Sequence, residues 1–206
     1  MKRLSTLITR TTKPNDQKIV DLQQEVKNSP IRIPILGPRG SGKTSFLYRS
    51  YFKYNVNRPD THFDVMPTSS HNVETISYQS NQFELWDFAE ISSCLNYLNE
   101  QTRVIIYLID STAYDREVVS SKSKENMMWL LETYQKILKN AIIITVATKQ
   151  DTQPPMDIQD IGHLWVSDEA LMHLLNGHDW RIFSCNNLTA SKAYIVPSQQ
   201  YHPHRH

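Results

Sequence analysis

Eight consecutive residues, Gly37 to Thr44, have the types and spacing that hold a polyphosphate: Gly-Pro-Arg-Gly-Ser-Gly-Lys-Thr. In such a loop, successive backbone N–H groups point at the phosphates and the following helix adds its partial positive charge. The lysine reaches the outer phosphates, and the last hydroxyl holds Mg²⁺. The pattern therefore predicts that Lys43 binds phosphate and Thr44 binds the metal ion. The full predicted set in and beside the loop is Gly37, Arg39, Gly40, Ser41, Gly42, Lys43, Thr44 and Ser45.

The distribution of glycine supports this interpretation of the loop. The chain of 206 residues contains five glycines, and three of them lie here. Glycine has no Cβ, so the backbone can close on a phosphate. The apolar run 31–36 precedes the loop and a helical pattern begins at Ser45, which gives the strand–loop–helix context that the motif requires.

A second pattern, Thr148-Lys-Gln-Asp151, follows an apolar run and resembles the [N/T]-K-x-D base-recognition motif of GTPases. A carboxylate at this position accepts hydrogen bonds from N1–H and the exocyclic amine of guanine, whereas adenine has an acceptor at N1. Each charge-assisted bond contributes roughly 1.5–3 kcal/mol, so Asp151 is predicted to select guanine, with Lys149 along the base. This motif also argues against a small-molecule kinase.

Asp87 ends the run Phe83-Glu-Leu-Trp-Asp87. An acidic residue at the end of a strand next to a phosphate loop can hold Mg²⁺ through water, with Thr44 as a direct ligand. Asp87 is therefore predicted to belong to the metal site.

The elements that must position these residues alternate between strand and helix patterns. We predict strands at 31–36, 73–78, 83–86, 103–110, 141–147 and 180–184, and helices at 16–27, 45–54, about 127–139 and part of 157–176. This order predicts an α/β fold of the P-loop NTPase type: a mostly parallel six-stranded sheet with helices on both faces. Ligands of such sheets bind beyond the carboxyl ends of the strands, where each motif lies. Pro34 lacks a ladder donor, so an irregularity is expected in the first strand.

The segment Pro67-Thr-Ser-Ser-His-Asn-Val-Glu-Thr75, followed by Phe83 to Asp87, resembles switch I and the interswitch of the Arf and Arf-like small GTPases. The resemblance covers about Ile31 to Asn187 and implies a single small-GTPase domain that binds GTP or GDP with Mg²⁺. It further implies that Thr68 reaches the metal and the γ-phosphate. By the same resemblance, Cys185 and Asn186 occupy the loop whose backbone N–H meets the guanine oxygen.

Three residues depart from the family pattern. The family has D-x-x-G-Q after the tryptophan, whereas here Glu90 stands at the glycine and Ile91 at the glutamine. Isoleucine cannot orient the attacking water, so slow or absent GTP hydrolysis is predicted, and enzymatic turnover stays an open question. Glu90 should repel GTP unless its segment swings outward. Arg39 replaces a small residue, and it either stabilises phosphate charge or crowds an incoming arginine finger.

The two ends of the chain are predicted to lie outside the GTP-binding domain, which spans 30–190. Residues 1–29 form a basic arm and a short helix, and the arm fits three alternatives: a membrane-contacting segment of a cytoplasmic protein, a mitochondrial presequence, or a solvated tail. Residues 191–206 carry Pro197 and Pro203 without an apolar period, so the family's final helix is predicted to be short and the segment a tail.

Composition excludes several classes of protein. The net charge of +1 gives no broad electrostatic footprint for nucleic acid. Cys94 and Cys185 are far apart and are interpreted as reduced thiols. The longest apolar runs are far shorter than the ~20 residues of a membrane span.

Two hypotheses for function remain. The first is an Arf-like guanine-nucleotide-binding protein whose switch and interswitch face binds a protein effector according to the bound nucleotide. In this hypothesis His71, where the family often has an aromatic residue, alters the choice of partner. The second is a non-cycling, GTPase-like structural subunit that holds its nucleotide permanently within a larger complex.

Overall fold

The computed structural model describes residues 29–56, 68–112, 116–151, 155–186 and 189–195, with the backbone alone at 56, 116–120, 186 and 189–195. The predicted N-terminal arm and its helix at 16–27, residues 57–67 and the end of the tail lie outside these ranges. The chain divides at Pro30, and the described unit begins at Ile31.

The strands of the unit are β1 Ile31–Leu36, β2 His71–Tyr78, β3 Asn81–Phe88, β4 Val104–Asp110, β5 Ile142–Thr148, β6 Trp180–Asn186 and β7 Thr189–Ile195. They form one sheet in the order β2-β3-β1-β4-β5-β6-β7. The pairs β3-β1, β1-β4, β4-β5 and β5-β6 are parallel. At the two edges, β2 pairs antiparallel with β3 and β7 pairs antiparallel with β6. The six predicted strands are β1 to β6, so the mostly parallel α/β fold is confirmed, and β7 is an addition to it.

Within the described ranges, the helices are α1 Lys43–Tyr51, α2 Arg116–Thr133, α3 Gln135–Leu138, α4 Ile158–Val166 and α5 Glu169–Leu175. A π-helical turn, Phe52–Val56, follows α1, and a 3₁₀ helix, Ile91–Cys94, follows β3. The predicted helix in 157–176 is split because two aspartates begin separate helices. Asp157 accepts from the N–H of Gln159, and Asp168 accepts from that of Leu171. None of the helices in these ranges is both long enough and apolar enough to span a bilayer.

Two apolar clusters cover the two faces of the sheet. In β4, Ile105 and Tyr107 belong to one cluster, which includes the buried residues of α2, α4 and α5. Leu108 and the partly buried Ile106 belong to the other, which includes Leu47 of α1. Alternate residues of a strand face opposite ways, so a continuous apolar run is what a strand covered on both faces requires.

The expected effect of Pro34 is visible in the pairing of β1. This strand pairs with β3 over five positions, from Ile31 to Ile35, but with β4 only at Ile35 and Leu36. Pairing with β4 thus begins only after the proline, which has no N–H to donate.

β2 and β3, which correspond to the predicted strands 73–78 and 83–86, form a hairpin closed by Gln79 and Ser80 with φ of 46° and 65°. Two successive residues at positive φ give the tight turn whose twist matches that of the strands. The register places Asn72 opposite Asp87. Directly opposed residues point to the same face, so these two side chains lie together.

Asn55, in the π-helical turn, covers part of the outer edge of β2. Its Nδ2 donates to the carbonyl oxygen of Thr75 at 2.6 Å, and its Oδ1 accepts from the N–H of Ser77 at 3.3 Å. The side-chain amide therefore takes the place of a neighbouring strand at these positions, which protects an edge that could pair with another chain.

The seventh strand extends the ordered sheet past residue 190, into the segment predicted to be a tail. β7 pairs with β6 from Arg181 opposite Ile195 to Asn186 opposite Thr189, with an irregularity between Ser184 and Cys185. An antiparallel edge strand needs no continuous apolar run, which explains why hydrophobic periodicity did not reveal it. A strand, and not the family's final helix, follows β6 through Ile195.

Candidate functional site

The loop from β1 to α1 has the conformation that a phosphate cradle needs. Gly37 and Gly42 have φ of 141° and 88°, values that favour glycine. A Cβ at Gly37 would also collide with the carbonyl oxygen of Leu108 in β4. The loop therefore packs against a central strand, with Gly37 and Ser41 buried and Arg39 and Gly40 exposed.

Lys43 begins α1, and its ammonium group turns back into the loop. Its Nζ donates to the carbonyl oxygens of Gly37 and Pro38, both at 3.1 Å. Burial lowers the pKa of this ammonium below its ordinary value, and the Asp87 carboxylate offsets the effect only in part. A desolvated cation inside a loop of this shape fits an anionic phosphate group.

Three oxygen-bearing side chains converge beside this lysine. Thr44 Oγ1 donates to Asp87 Oδ2 at 2.6 Å, Thr68 Oγ1 donates to the same oxygen at 3.0 Å, and the two hydroxyl oxygens are 2.9 Å apart. Asn72 Nδ2 donates to Thr68 at 3.0 Å and to Asp87 at 3.3 Å. The predicted metal residues Thr44, Thr68 and Asp87 are thus brought together from α1, the segment before β2, and β3.

The donor set of this cluster fits Mg²⁺. Magnesium prefers oxygen ligands and is usually held by one or two carboxylates together with substrate phosphates and water. Asp87 is fully buried, and its Oδ1 has no hydrogen-bond partner among the described residues. A buried carboxylate oxygen without a donor is costly unless a cation or water satisfies it. Thr44, Thr68 and Asp87 are therefore the residues that would hold the ion.

These groups line one cavity of about 610 Å³, a size typical of small-molecule sites. Its walls come from the loop, the start of α1, the segment before β2, the end of β3 and the turn after β5. The lining residues from the predicted set are Arg39, Gly40, Gly42, Lys43, Thr44, Ser45, Thr68, Asp87 and Lys149.

Thr148 does not line the cavity and instead ties the phosphate loop to the sheet. Its Oγ1 donates to the carbonyl oxygens of Ser41 at 2.8 Å and Ile109 at 3.0 Å. Its own carbonyl oxygen accepts from the hydroxyl of Ser111 at 2.5 Å. The two predicted nucleotide motifs, which are 107 positions apart at this contact, are joined through one buried hydroxyl.

Lys149 is held by a carboxylate that the sequence analysis did not single out. Its Nζ lies 2.5 Å from Asp110 Oδ2, at the end of β4. Burial alone would raise the pKa of Asp110, but hydrogen bonds from Lys149 and Thr112 outweigh it and hold the pKa below its ordinary value. Lys149 has φ of 59°, unusual for a residue with a side chain. Asp151 follows in the same turn and is exposed.

The other predicted base-contacting residues lie at the end of β6. Ala147 pairs with Ser184, so Cys185 follows at the level of Thr148. The Cys185 side chain lines a separate pocket of about 220 Å³ on the α1 face of the sheet, and only the backbone of Asn186 is described. The described side chain of Cys185 is thus not among those that line the large cavity.

After Asp87, two of the residues that depart from the family pattern, Glu90 and Ile91, lie in different environments. Glu90 is exposed and lines the large cavity. Ile91 is partly buried and packs on the apolar cluster that contains Cys94 and Phe88. The isoleucine thus anchors the segment to the core, whereas the glutamate belongs to the wall of the cavity.

A group of aromatic rings lies on the face of β2 and β3 opposite Asn72 and Asp87. His71 stacks on Trp86 with ring centres 5.7 Å apart, and Tyr97 lies 5.1 Å from both rings. The Arg32 guanidinium lies 5.7 Å from the centre of Trp86. Tyr97 is 38% exposed, so this aromatic group reaches the surface.

Asn72, Asp110 and Ser111 are site residues to which sequence reasoning assigned no role. Asp110 and Ser111 stand where an apolar strand ends, and polar residues at the carboxyl ends of parallel strands are candidates for a site. Asn72 lies in the middle of a strand, and only its pairing with Asp87 reveals its position.

Residues 17–195 match the ADP-ribosylation factor family. ADP-ribosylation factor 1 of Brassica rapa subsp. pekinensis is 31% identical over 159 residues, which cover 76% of this chain and 78% of the relative. ADP-ribosylation factor-like protein 1 of Drosophila melanogaster is 32% identical over 136 residues, covering 65% and 69%. The solved structure of the Arl6 BBS3 small GTPase from Trypanosoma brucei with bound nucleotide analogue GppNp matches with a TM-score of 0.58 at 18% identity, over 79% of this chain and 90% of that chain.

Proposed function

The chain belongs to the ADP-ribosylation factor family of GTP-binding proteins, and on this premise we propose that it binds GDP or GTP with Mg²⁺ in the large cavity. The bound nucleotide controls a face that binds a partner protein. The observation that carries the proposal is the convergence of Lys43, Thr44, Thr68 and Asp87 on one cavity, with the three side-chain oxygens within 3.0 Å of one another.

The residues have distinct roles in nucleotide binding. Lys43 gives up its carbonyl contacts to bind phosphate oxygens, and the loop amides complete the cradle. Mg²⁺, when bound, neutralises charge on the outer phosphates. Asp151 selects guanine. Lys149, two positions before it, is held in the same turn by its ion pair with Asp110.

Hydrolysis in this proposal is slow or absent. The position that orients the attacking water in the family is Ile91, which has no group that can bind water and is partly buried against the core. A guanine-nucleotide-binding protein with this side chain keeps bound GTP unhydrolysed for longer than one with a glutamine there.

The aromatic group around Trp86 is the proposed partner-binding face. Exposed aromatic and arginine side chains are enriched in protein interfaces, and this group lies directly behind the metal cluster on β2 and β3. His71 gives the face a polar edge.

A second candidate function is a non-cycling subunit of a larger complex. It is favoured by the burial of Ile91 and by β7, which stands where the family continues with a helix. The two candidates share nucleotide binding and differ in turnover.

Two measurements test the proposal. Nucleotide extracted from protein purified without added ligand should be GDP or GTP. In a binding assay, Asp151→Asn should bind GDP more weakly than the native protein and xanthosine diphosphate more tightly, because the C2 oxygen of xanthine can accept a hydrogen bond from the new amide. Finding adenine nucleotide, or no binding of guanine nucleotide with Mg²⁺ present, would refute it.

Single-turnover GTP hydrolysis separates the two candidates. In the switch, Ile91→Gln should raise the rate, because it restores a side chain that can orient water. In the non-cycling subunit, neither the native chain nor the variant turns over or exchanges nucleotide, even with excess GTP and a metal chelator.

A further inference from the structure

We propose that Glu90 makes the cavity selective for a nucleoside diphosphate over the corresponding triphosphate. This inference rests on the proposed function, since it concerns which guanine nucleotide the same site retains. It starts from a carboxylate that lines a cavity otherwise built to attract phosphate.

The position of Glu90 within the cavity determines which part of a nucleotide it meets. Lys149, from the base-recognition motif, lines the cavity, and so do Thr44, Thr68 and Asp87, whose contacts with one another mark its metal-binding end. The N–H of Ala89 donates to the carbonyl oxygen of Ser70 at 2.9 Å, close after Thr68 in the chain. Glu90 therefore belongs to the metal-binding end, where the outermost phosphate group of a nucleotide would lie.

The backbone at Glu90 is fixed from both sides. Before it, Ala89 is hydrogen-bonded to Ser70, and Phe88 is buried. After it, the N–H of Ser93 donates to the carbonyl oxygen of Glu90 at 3.0 Å, and Cys94 is fully buried with its thiol bonded to the carbonyl oxygen of Ile91. An outward swing of this segment would break these contacts, so the backbone keeps Glu90 in the wall of the cavity.

The charges that line the cavity do not cancel the effect. Arg39, Lys43 and Lys149 are positive, and Asp87 and Glu90 are negative. Lys149 is paired with Asp110, and neither Arg39 nor Glu90 forms an ion pair with any of the described residues. A triphosphate adds a charged group at the end of the cavity that already holds Glu90, and like charges at short range repel.

The test compares the dissociation constants of GDP and of GTPγS, with Mg²⁺, by calorimetry on the full chain. The native protein should bind GDP at least tenfold more tightly, a difference of about 1.4 kcal/mol. Glu90→Gln keeps the size of the side chain and removes its charge. It should improve GTPγS binding about tenfold and change GDP binding less than threefold. Glu100→Gln, an exposed glutamate outside the cavity, is the matched control and should change neither.

Ionic strength gives an independent readout. Salt screens exposed charges, with a Debye length of about 8 Å at 0.15 M and 3 Å at 1 M. The preference for GDP should therefore shrink with added salt in the native protein, and the ratio of the two affinities should respond less to salt in Glu90→Gln.

The outcomes separate this inference from the proposed function. Equal affinity of the native protein for GDP and GTPγS, or an equal effect of Glu90→Gln on both, overturns the role of Glu90 and leaves nucleotide binding intact. Absence of binding of either nucleotide overturns the proposed function as well.

Discussion

Replacing Thr148 by valine tests whether one buried hydroxyl holds the two nucleotide motifs together. Valine keeps the shape of the side chain and removes the donor that reaches Ser41 at 2.8 Å and Ile109 at 3.0 Å. A hydroxyl has one proton, which these two carbonyl groups share, so the loss amounts to about one hydrogen bond and the desolvation of its acceptors. This predicts a decrease of about 1–2 kcal/mol in the free energy of unfolding, or about 2–8 °C in melting temperature.

The same substitution should weaken GDP binding, because the phosphate loop loses its tether to β4 and β5. If the whole loss of free energy falls on the binding conformation of the loop, the dissociation constant of GDP rises about 5- to 30-fold. Thermal unfolding without nucleotide and calorimetric titration with GDP measure the two effects. The control is Thr75→Val, the same change on an exposed strand position, which should stay within about 0.5 kcal/mol of the native protein. If Thr148→Val melts and binds like this control, the hydroxyl does not organise the site.

Three further predictions concern other groups. The folded-state pKa of Lys43 is lowered, so the fold disfavours its charged form. The free energy of unfolding of the nucleotide-free protein, relative to Lys43→Met, should therefore rise as the pH rises through that pKa towards the unfolded value. A difference between the two proteins that does not change with pH in urea titrations would contradict this. Burial raises the pKa of Cys94 to about 12, so a thiol reagent should leave it unmodified in the native protein and modify it in denaturant; rapid native modification of Cys94, located by peptide mapping, would be evidence against its burial. Asn55→Ala uncovers the β2 edge and should cause concentration-dependent self-association, measured by analytical ultracentrifugation. Asn55→Gln, which keeps the side-chain amide, should self-associate less. A strictly monomeric alanine variant would show that the edge needs no cover.

Local patterns predicted the fold and much of the cavity wall. The phosphate loop is a contiguous run of eight residues whose conformation follows from its glycines, and the buried strands are recognisable because both of their faces are apolar. Asp87 could be assigned because it lies at the end of a strand beside the loop. These inferences need only the sequence near each residue.

Contacts between distant parts of the chain could not be predicted in this way. Asp110 and Lys149 are 39 positions apart, and their pairing depends on the register of β4 and β5. Thr148 was assigned to the base-recognition motif, but its hydroxyl donates to the carbonyl oxygens of Ser41 and Ile109. β7 was missed because an edge strand is defined by the backbone of its neighbour and carries little pattern of its own.

The two faces of β3 carry the aromatic group on one side and the predicted metal residue Asp87 on the other. Trp86 and Asp87 are consecutive, and a strand turns consecutive side chains to opposite sides, so the aromatic surface and the metal cluster stand back to back with one layer of polypeptide between them. The same holds on β2, where His71 touches Trp86 and Asn72 touches Asp87. In the proposed function, a partner bound on the rings would contact the same two strands that carry Asn72 and Asp87, so the bound nucleotide and the partner would be coupled across the thickness of one sheet.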